Sequence, residues 1–120
     1  MTHAYMYAGL PAKEQYRVRL GISIHVPNDI IDVVCDELNV QRKDMLSSLR
    51  KRYLVEARQI AIGLILESNR GLALKKVGAM FNRDHSTIIY AREQFNDLYG
   101  SDKQFTKKVD LIRLKTNNLL

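Results

Sequence analysis

Arg83-Asp84-His85-Ser86-Thr87-Ile88-Ile89-Tyr90-Ala91 sets an arginine, an acid, a histidine and two hydroxyls directly in front of an apolar helical run. Asp84 is placed to cap the backbone N–H groups two or three residues on. A first turn this rich in hydrogen-bonding side chains suits a helix that meets base edges rather than water, as the second helix of a helix-turn-helix does in a major groove. The residues just before it agree. Leu74, Val77 and Phe81 fall on one helical face at i, i+3 and i+7. Gly78 lowers helix propensity there but permits a close neighbour. Phe81-Asn82-Arg83 is a short connection, and asparagine tolerates the left-handed conformation that ends helices. Ile88, Ala91, Phe95 and Leu98 continue at i, i+3, i+7 and i+10. Two short amphipathic helices joined by a tight turn predict a helix-turn-helix over about residues 73–99.

Arg83-Asp84-His85-Ser86-Thr87-Ile88 resembles the signature of the C-terminal DNA-binding domain of the bacterial replication initiator DnaA. A second block, Arg50-Lys51-Arg52 followed by Ala57-Arg58-Gln59-Ile60-Ala61-Ile62, resembles that domain's basic loop and the helix after it. The resemblance runs from about Asn28 to the C-terminus. It implies an all-α fold, a small multi-helix domain with a Trp-repressor-like helix-turn-helix. It also implies double-stranded DNA as the partner, bound at a DnaA-box-like site. The chain departs from the family in and around the helix-turn-helix. Asn82 stands where two glycines are more usual, the loop around Ser68–Gly71 is slightly longer, and Tyr90 replaces a histidine. Initiators of this family carry an ATPase motor ahead of the domain. No G-x-x-x-x-G-K-[ST] phosphate loop occurs in these 120 residues, so DNA reading without nucleotide hydrolysis is expected.

Composition supports an anionic partner. Nineteen Lys+Arg against thirteen Asp+Glu give a formal charge of +6. Between Arg42 and Arg58 six basic residues face two acids, a local excess of +4. Hydrophobic residues make up 46%, enough for a folded core. The longest uncharged apolar run, Ile60 to Leu66, is too short to span a bilayer. Met1 to Leu10 lacks the basic and apolar regions of a signal peptide. The single cysteine, Cys35, lies among Ile31, Val34 and Leu38 and reads as a small core residue. A cytoplasmic location is expected.

Residues 1–26 read as an irregular arm, with a weak strand alternation over residues 16–20, and residues 27–120 as the domain. Pro27-Asn28-Asp29 signals a helix start, and Asn39 its end. A short helix over residues 40–48 leads to the basic loop, a long helix follows from Leu54, and a last helix, capped by Ser101, turns Phe105, Val109 and Ile112 inward.

The candidate base-reading residues are Asp84, His85, Ser86 and Thr87, with Arg50 entering the minor groove as the resemblance implies. An arginine suits that narrow groove because its potential is strongly negative. Asp84 can accept from a cytosine amino group, and Thr87 can offer a methyl to thymine. The candidate phosphate contacts are Arg58 and Gln59, taken to open the long helix, with Arg83, Lys51, Arg52 and Tyr90. Glu93 and Gln94 stand where the family's recognition helix is often basic. The three histidines and one cysteine show no metal-ligand spacing. No catalytic residue, cofactor, metal or membrane contact is expected, and one copy suffices to read a site. A regulator of a phage or mobile element is the alternative within the same class. A protein-interaction module that contacts a replication protein through the arm is the alternative from another.

Overall fold

A computed structural model describes residues 26–117. The predicted arm, with its strand signal, lies outside the described residues. Six helices follow in order: α1 (Pro27–Leu38), α2 (Arg42–Met45), α3 (Arg52–Ser68), α4 (Leu74–Met80), α5 (His85–Leu98) and α6 (Lys103–Asn117). The all-α expectation is met, with α4 and α5 forming the helix-turn-helix.

α3 is the axis of the domain. Leu54, Ala57, Ile60, Ala61, Ile62, Leu64 and Ile65 are all buried along it. α1 packs on it through Ile30, Ile31 and Val34, and α5 through Ile88, Ala91 and Phe95. Gly63 is the place where α5 comes closest: a Cβ there would lie 2.2 Å from the Phe95 ring. Phe95 stacks on Tyr99 and meets Phe105 edge-on at 5.9 Å, which brings α6 into the same core. Ion pairs then fasten α6 from outside: Lys108 to Glu56, Arg113 to Glu67 and Lys115 to Glu37. Half-exposed pairs of this kind contribute about 0–1 kcal/mol each. A buried Ile or Phe contributes about 1.5–3 kcal/mol, so the apolar core decides the fold.

Pro27 sits at the first turn of α1, where its missing N–H costs nothing. Asn39 ends the helix at φ 56°, as its side chain permits. Cys35 is buried, and burial pushes its thiol pKa up, which leaves it an inert core residue.

Three boundaries differ from expectation. The helix expected over residues 40–48 contracts to Arg42–Met45, because side chains from elsewhere take its last carbonyls (below). α3 starts at Arg52 rather than Leu54. Asp102, not Ser101, caps α6 by accepting from the Phe105 N–H at 3.0 Å. Ser101 turns its hydroxyl back to the Asp97 and Leu98 carbonyls at the end of α5.

The turn between α4 and α5 is a Schellman closure. The Arg83 N–H donates to Gly78 O at 2.8 Å and the Asn82 N–H to Ala79 O at 3.3 Å. Asn82 occupies the left-handed position at φ 56°, the place glycine usually takes. Gly78 is needed beside it for space: a Cβ would stand 2.4 Å from the Arg83 carbonyl oxygen. The close neighbour is thus the turn's own backbone rather than another helix. Alanine at a helical site ordinarily gains about 1 kcal/mol over glycine, but overpacking costs about 1–3 kcal/mol. Backbone cannot step aside without losing the turn, so Gly78→Ala is expected to lower the urea unfolding midpoint. A raised midpoint would show that the turn relaxes freely.

Candidate nucleic-acid interface

α5 opens with Asp84 as N-cap. Its Oδ1 accepts from the Thr87 N–H at 3.0 Å, the Ser86 hydroxyl at 2.7 Å and the Thr87 hydroxyl at 3.2 Å. These three donors, Ser86 first, hold the carboxyl below its ordinary value of 3.8. The cap reading and the recognition reading therefore share one residue. Ser86 and Thr87 each give their single hydroxyl hydrogen to Asp84, so both present lone pairs outward and act as acceptors. His85, Ser86, Thr87 and Tyr90 are exposed, while Ile88 and Ala91 anchor the opposite face. Tyr90 is 60% exposed, which excludes it from the core.

The basic loop stands across a groove from this helix. Arg50, Lys51 and Arg52 are exposed, and no described acid pairs with them. Arg50, Gln59, Asp84, Thr87 and Tyr90 line the groove, with Val55, Leu46 and Ile62 in its apolar part. Residues from three separate parts of the chain thus meet at one opening. His85 and Ser86 stand on the α5 flank, and Lys51 and Arg52 on the loop flank, outside the groove lining.

Arg58 departs from expectation. It lies inside α3 rather than at its start, is only 6% exposed, and has no helix N-terminus beside it. Its Nε donates to Met45 O at 2.7 Å; its Nη2 donates to Asp44 O at 3.0 Å and Ser47 O at 2.9 Å. Burial, and then the positive charge of Arg83, lower its pKa, yet a guanidinium stays charged. These bonds commit Nε and Nη2 inside the protein and give Arg58 a structural role, while its Nη1 makes none of them and the residue still lines the groove. Arg83 is likewise half-committed: Nη1 to Phe81 O at 2.6 Å and Nη2 to Ser47 O at 2.7 Å. Asn82 Nδ2 reaches Leu46 O at 3.2 Å. Gln59, next to Arg58, is half-buried at the groove edge.

The basic cluster over residues 42–58 also divides. Arg42 is held by Asp32 and Asn28 on α1. Lys43, Arg50, Lys51 and Arg52 are exposed without an acid partner among the described residues. Lys75 and Lys76, in the first turn of α4, are exposed in the same way and were not singled out by the sequence reading. The signal for them was available: the first helix of a helix-turn-helix crosses the DNA backbone. Among the described residues no His, Cys, Asp and Glu cluster could hold a metal, and no helix is long and apolar enough to cross a membrane.

A capped helix with an outward-facing polar first turn, packed on a second short helix beside a basic loop, defines a helix-turn-helix protein of the class that reads duplex DNA. Comparison with known proteins makes this specific. The family model for the bacterial dnaA protein helix-turn-helix matches residues 27–94, more than half of the chain, and the chain belongs to that family. Chromosomal replication initiator protein DnaA of Synechococcus sp. (strain JA-2-3B'a(2-13)) is 35% identical over 94 residues, covering 74% of this chain and 20% of that protein. DnaA of Leptospira biflexa is 31% identical over 97 residues, covering 81% and 21%. DnaA of Brucella abortus is 30% identical over 108 residues, covering 89% and 20%. The chain thus spans about one fifth of the length of these relatives.

The depressed carboxyl of Asp84 has a consequence for stability. A carboxylate whose pKa is lowered on folding adds stability that is full above its unfolded value and lost as pH falls through the folded one. Asp84→Ala is therefore expected to lower the thermal midpoint at neutral pH, with the gap to the parent chain closing as pH falls below 3.8. Thermal melts at several pH values check this, and a gap that persists in acid would assign the loss to something other than the charged cap.

Proposed function

We propose that this chain binds double-stranded DNA sequence-specifically at a DnaA-box-like site and serves replication initiation or its control without hydrolysing a nucleotide. α5 enters the major groove and offers Asp84, His85, Ser86 and Thr87 to base edges. Arg50 enters the adjacent minor groove. Lys51, Arg52, Gln59, Tyr90, Lys75 and Lys76 contact phosphates, and Arg83 faces the same strand while bracing the turn. The reading rests on one observation: Arg50 and the first turn of α5 flank a single groove, a placement that suits the two DNA grooves on either side of one phosphate strand. The acceptor character of Ser86 and Thr87 favours adenine or cytosine amino groups opposite them. One copy reads one site, in the bacterial cytoplasm or from a phage within it.

Fluorescence anisotropy of the full chain on a box duplex and on a shuffled duplex of equal composition tests this. A preference of tenfold or more, about 1.4 kcal/mol, is expected for the box and is expected to vanish in His85→Ala. Roughly four to six phosphates neutralised by lysine and arginine predict a log–log salt slope of about −4 to −5. Equal affinity for both duplexes would reduce the chain to a basic coating protein. No binding at low salt would move the reading to protein interaction.

A further inference from the structure

We infer that Arg58, Arg83 and Asn82 are positioning residues that fix the distance between the Arg50 loop and the recognition helix before DNA arrives. α2 is only four residues long; Asp44 O still accepts from the Ser47 N–H and hydroxyl, but the carbonyls at its end and just beyond it are met largely by side chains of other elements. Arg58 takes those of Asp44, Met45 and Ser47, Asn82 takes that of Leu46, and Arg83 takes that of Ser47 a second time. Ser47 O is thus shared by a guanidinium from α3 and one from the helix-turn-helix turn. The chain reaches Arg50 just beyond that carbonyl, and Asp84 follows Arg83 directly. The minor-groove side chain and the first turn of α5 therefore hang from a common point.

The charge arrangement supports a positioning role over a surface one. Two like-charged guanidiniums converge without a described carboxylate, an arrangement that gains nothing from salt-bridge energy. It is held by hydrogen bonds from charged donors to carbonyls, each contributing about 1.5–3 kcal/mol. Binding benefits because a site already in its bound geometry spends less on ordering.

The inference rests on the DNA-reading proposal, and a double-mutant cycle on the box duplex tests it. Arg58→Gln is expected to weaken binding about tenfold or more. Adding Arg50→Ala to Arg58→Gln is expected to cost less than twofold further, since the loop arginine is already misplaced. The salt slope of the double variant is expected to equal that of Arg50→Ala alone. A direct phosphate contact through the remaining Nη1 of Arg58 would instead make the two losses multiply, and would flatten the double variant's slope by about a further 0.9. That result overturns the inference. Asn82→Gly keeps the left-handed turn while removing only its bond to Leu46, so it serves where Arg58→Gln does not fold; its loss must likewise fail to multiply with Arg50→Ala. Hydrogen exchange without DNA gives an independent readout. Faster exchange of the Ser47 and Leu49 amides in either variant, with α5 unchanged, is expected, and unchanged loop exchange contradicts the inference. Failure of the parent chain to prefer the box would overturn the DNA reading, whereas preference with multiplying losses would overturn the positioning role alone.

Discussion

Carbonyls at the end of a four-residue helix and just beyond it need donors, and in this domain those donors set where the basic loop sits against the helix-turn-helix. An unpaired buried acceptor costs about 1–3 kcal/mol, and the buried Met45 O at the end of α2 faces that cost, with the part-buried Ser47 O beyond it facing a smaller one. The chain meets it with side chains from two other elements, Arg58 from α3 and Asn82 and Arg83 from the α4–α5 turn. A few hydrogen bonds thereby tie the basic loop to the helix-turn-helix without any carboxylate. The Schellman closure at Asn82 and the space left at Gly78 belong to the same joint, because both set where Arg83 stands.

The cations of the domain sort by partner. Arg42, Lys108, Arg113 and Lys115 pair with acids of α1, α3 and α6 and fasten the scaffold. Those of the basic loop and of α4 lack an acid among the described residues. A net charge of +6 therefore understates the field near the groove, since the scaffold neutralises itself. Long-range attraction of a polyanion follows from that uneven distribution.

Much of this was legible beforehand. The apolar periods of α3 and α5, the proline at the head of α1 and the two asparagine stops all speak through local rules of helix chemistry. Asp84 as a cap was legible for the same reason. The burial of Arg58 was less legible, because a buried arginine is rare and because it sits next to a basic loop, where an exposed cation is the ordinary inference. Its spacing contained the contrary signal: it lies four residues after Leu54, three before Ala61 and seven before Ile65, on the buried face. The extent of α2 was not legible, since four residues show no period and their helix ends for a reason that sits in other elements. Lys75 and Lys76 carry a weak signal, since two adjacent lysines on a short helix read as an ordinary solvated face.

In the proposed arrangement one rigid joint presents two readers, an arginine to the minor groove and a helix turn to the major groove. Exchanging each base pair of a DnaA-box duplex in turn, and measuring the parent chain's affinity, tests this most directly. The two grooves carry different codes: the major groove distinguishes all four pairs, whereas the minor groove separates A·T from G·C but not A·T from T·A. Two clusters of sensitive positions are expected. In one, every exchange costs about 1–3 kcal/mol; in the other, A·T to T·A is tolerated and G·C is not. A single cluster sensitive to every exchange would contradict that arrangement.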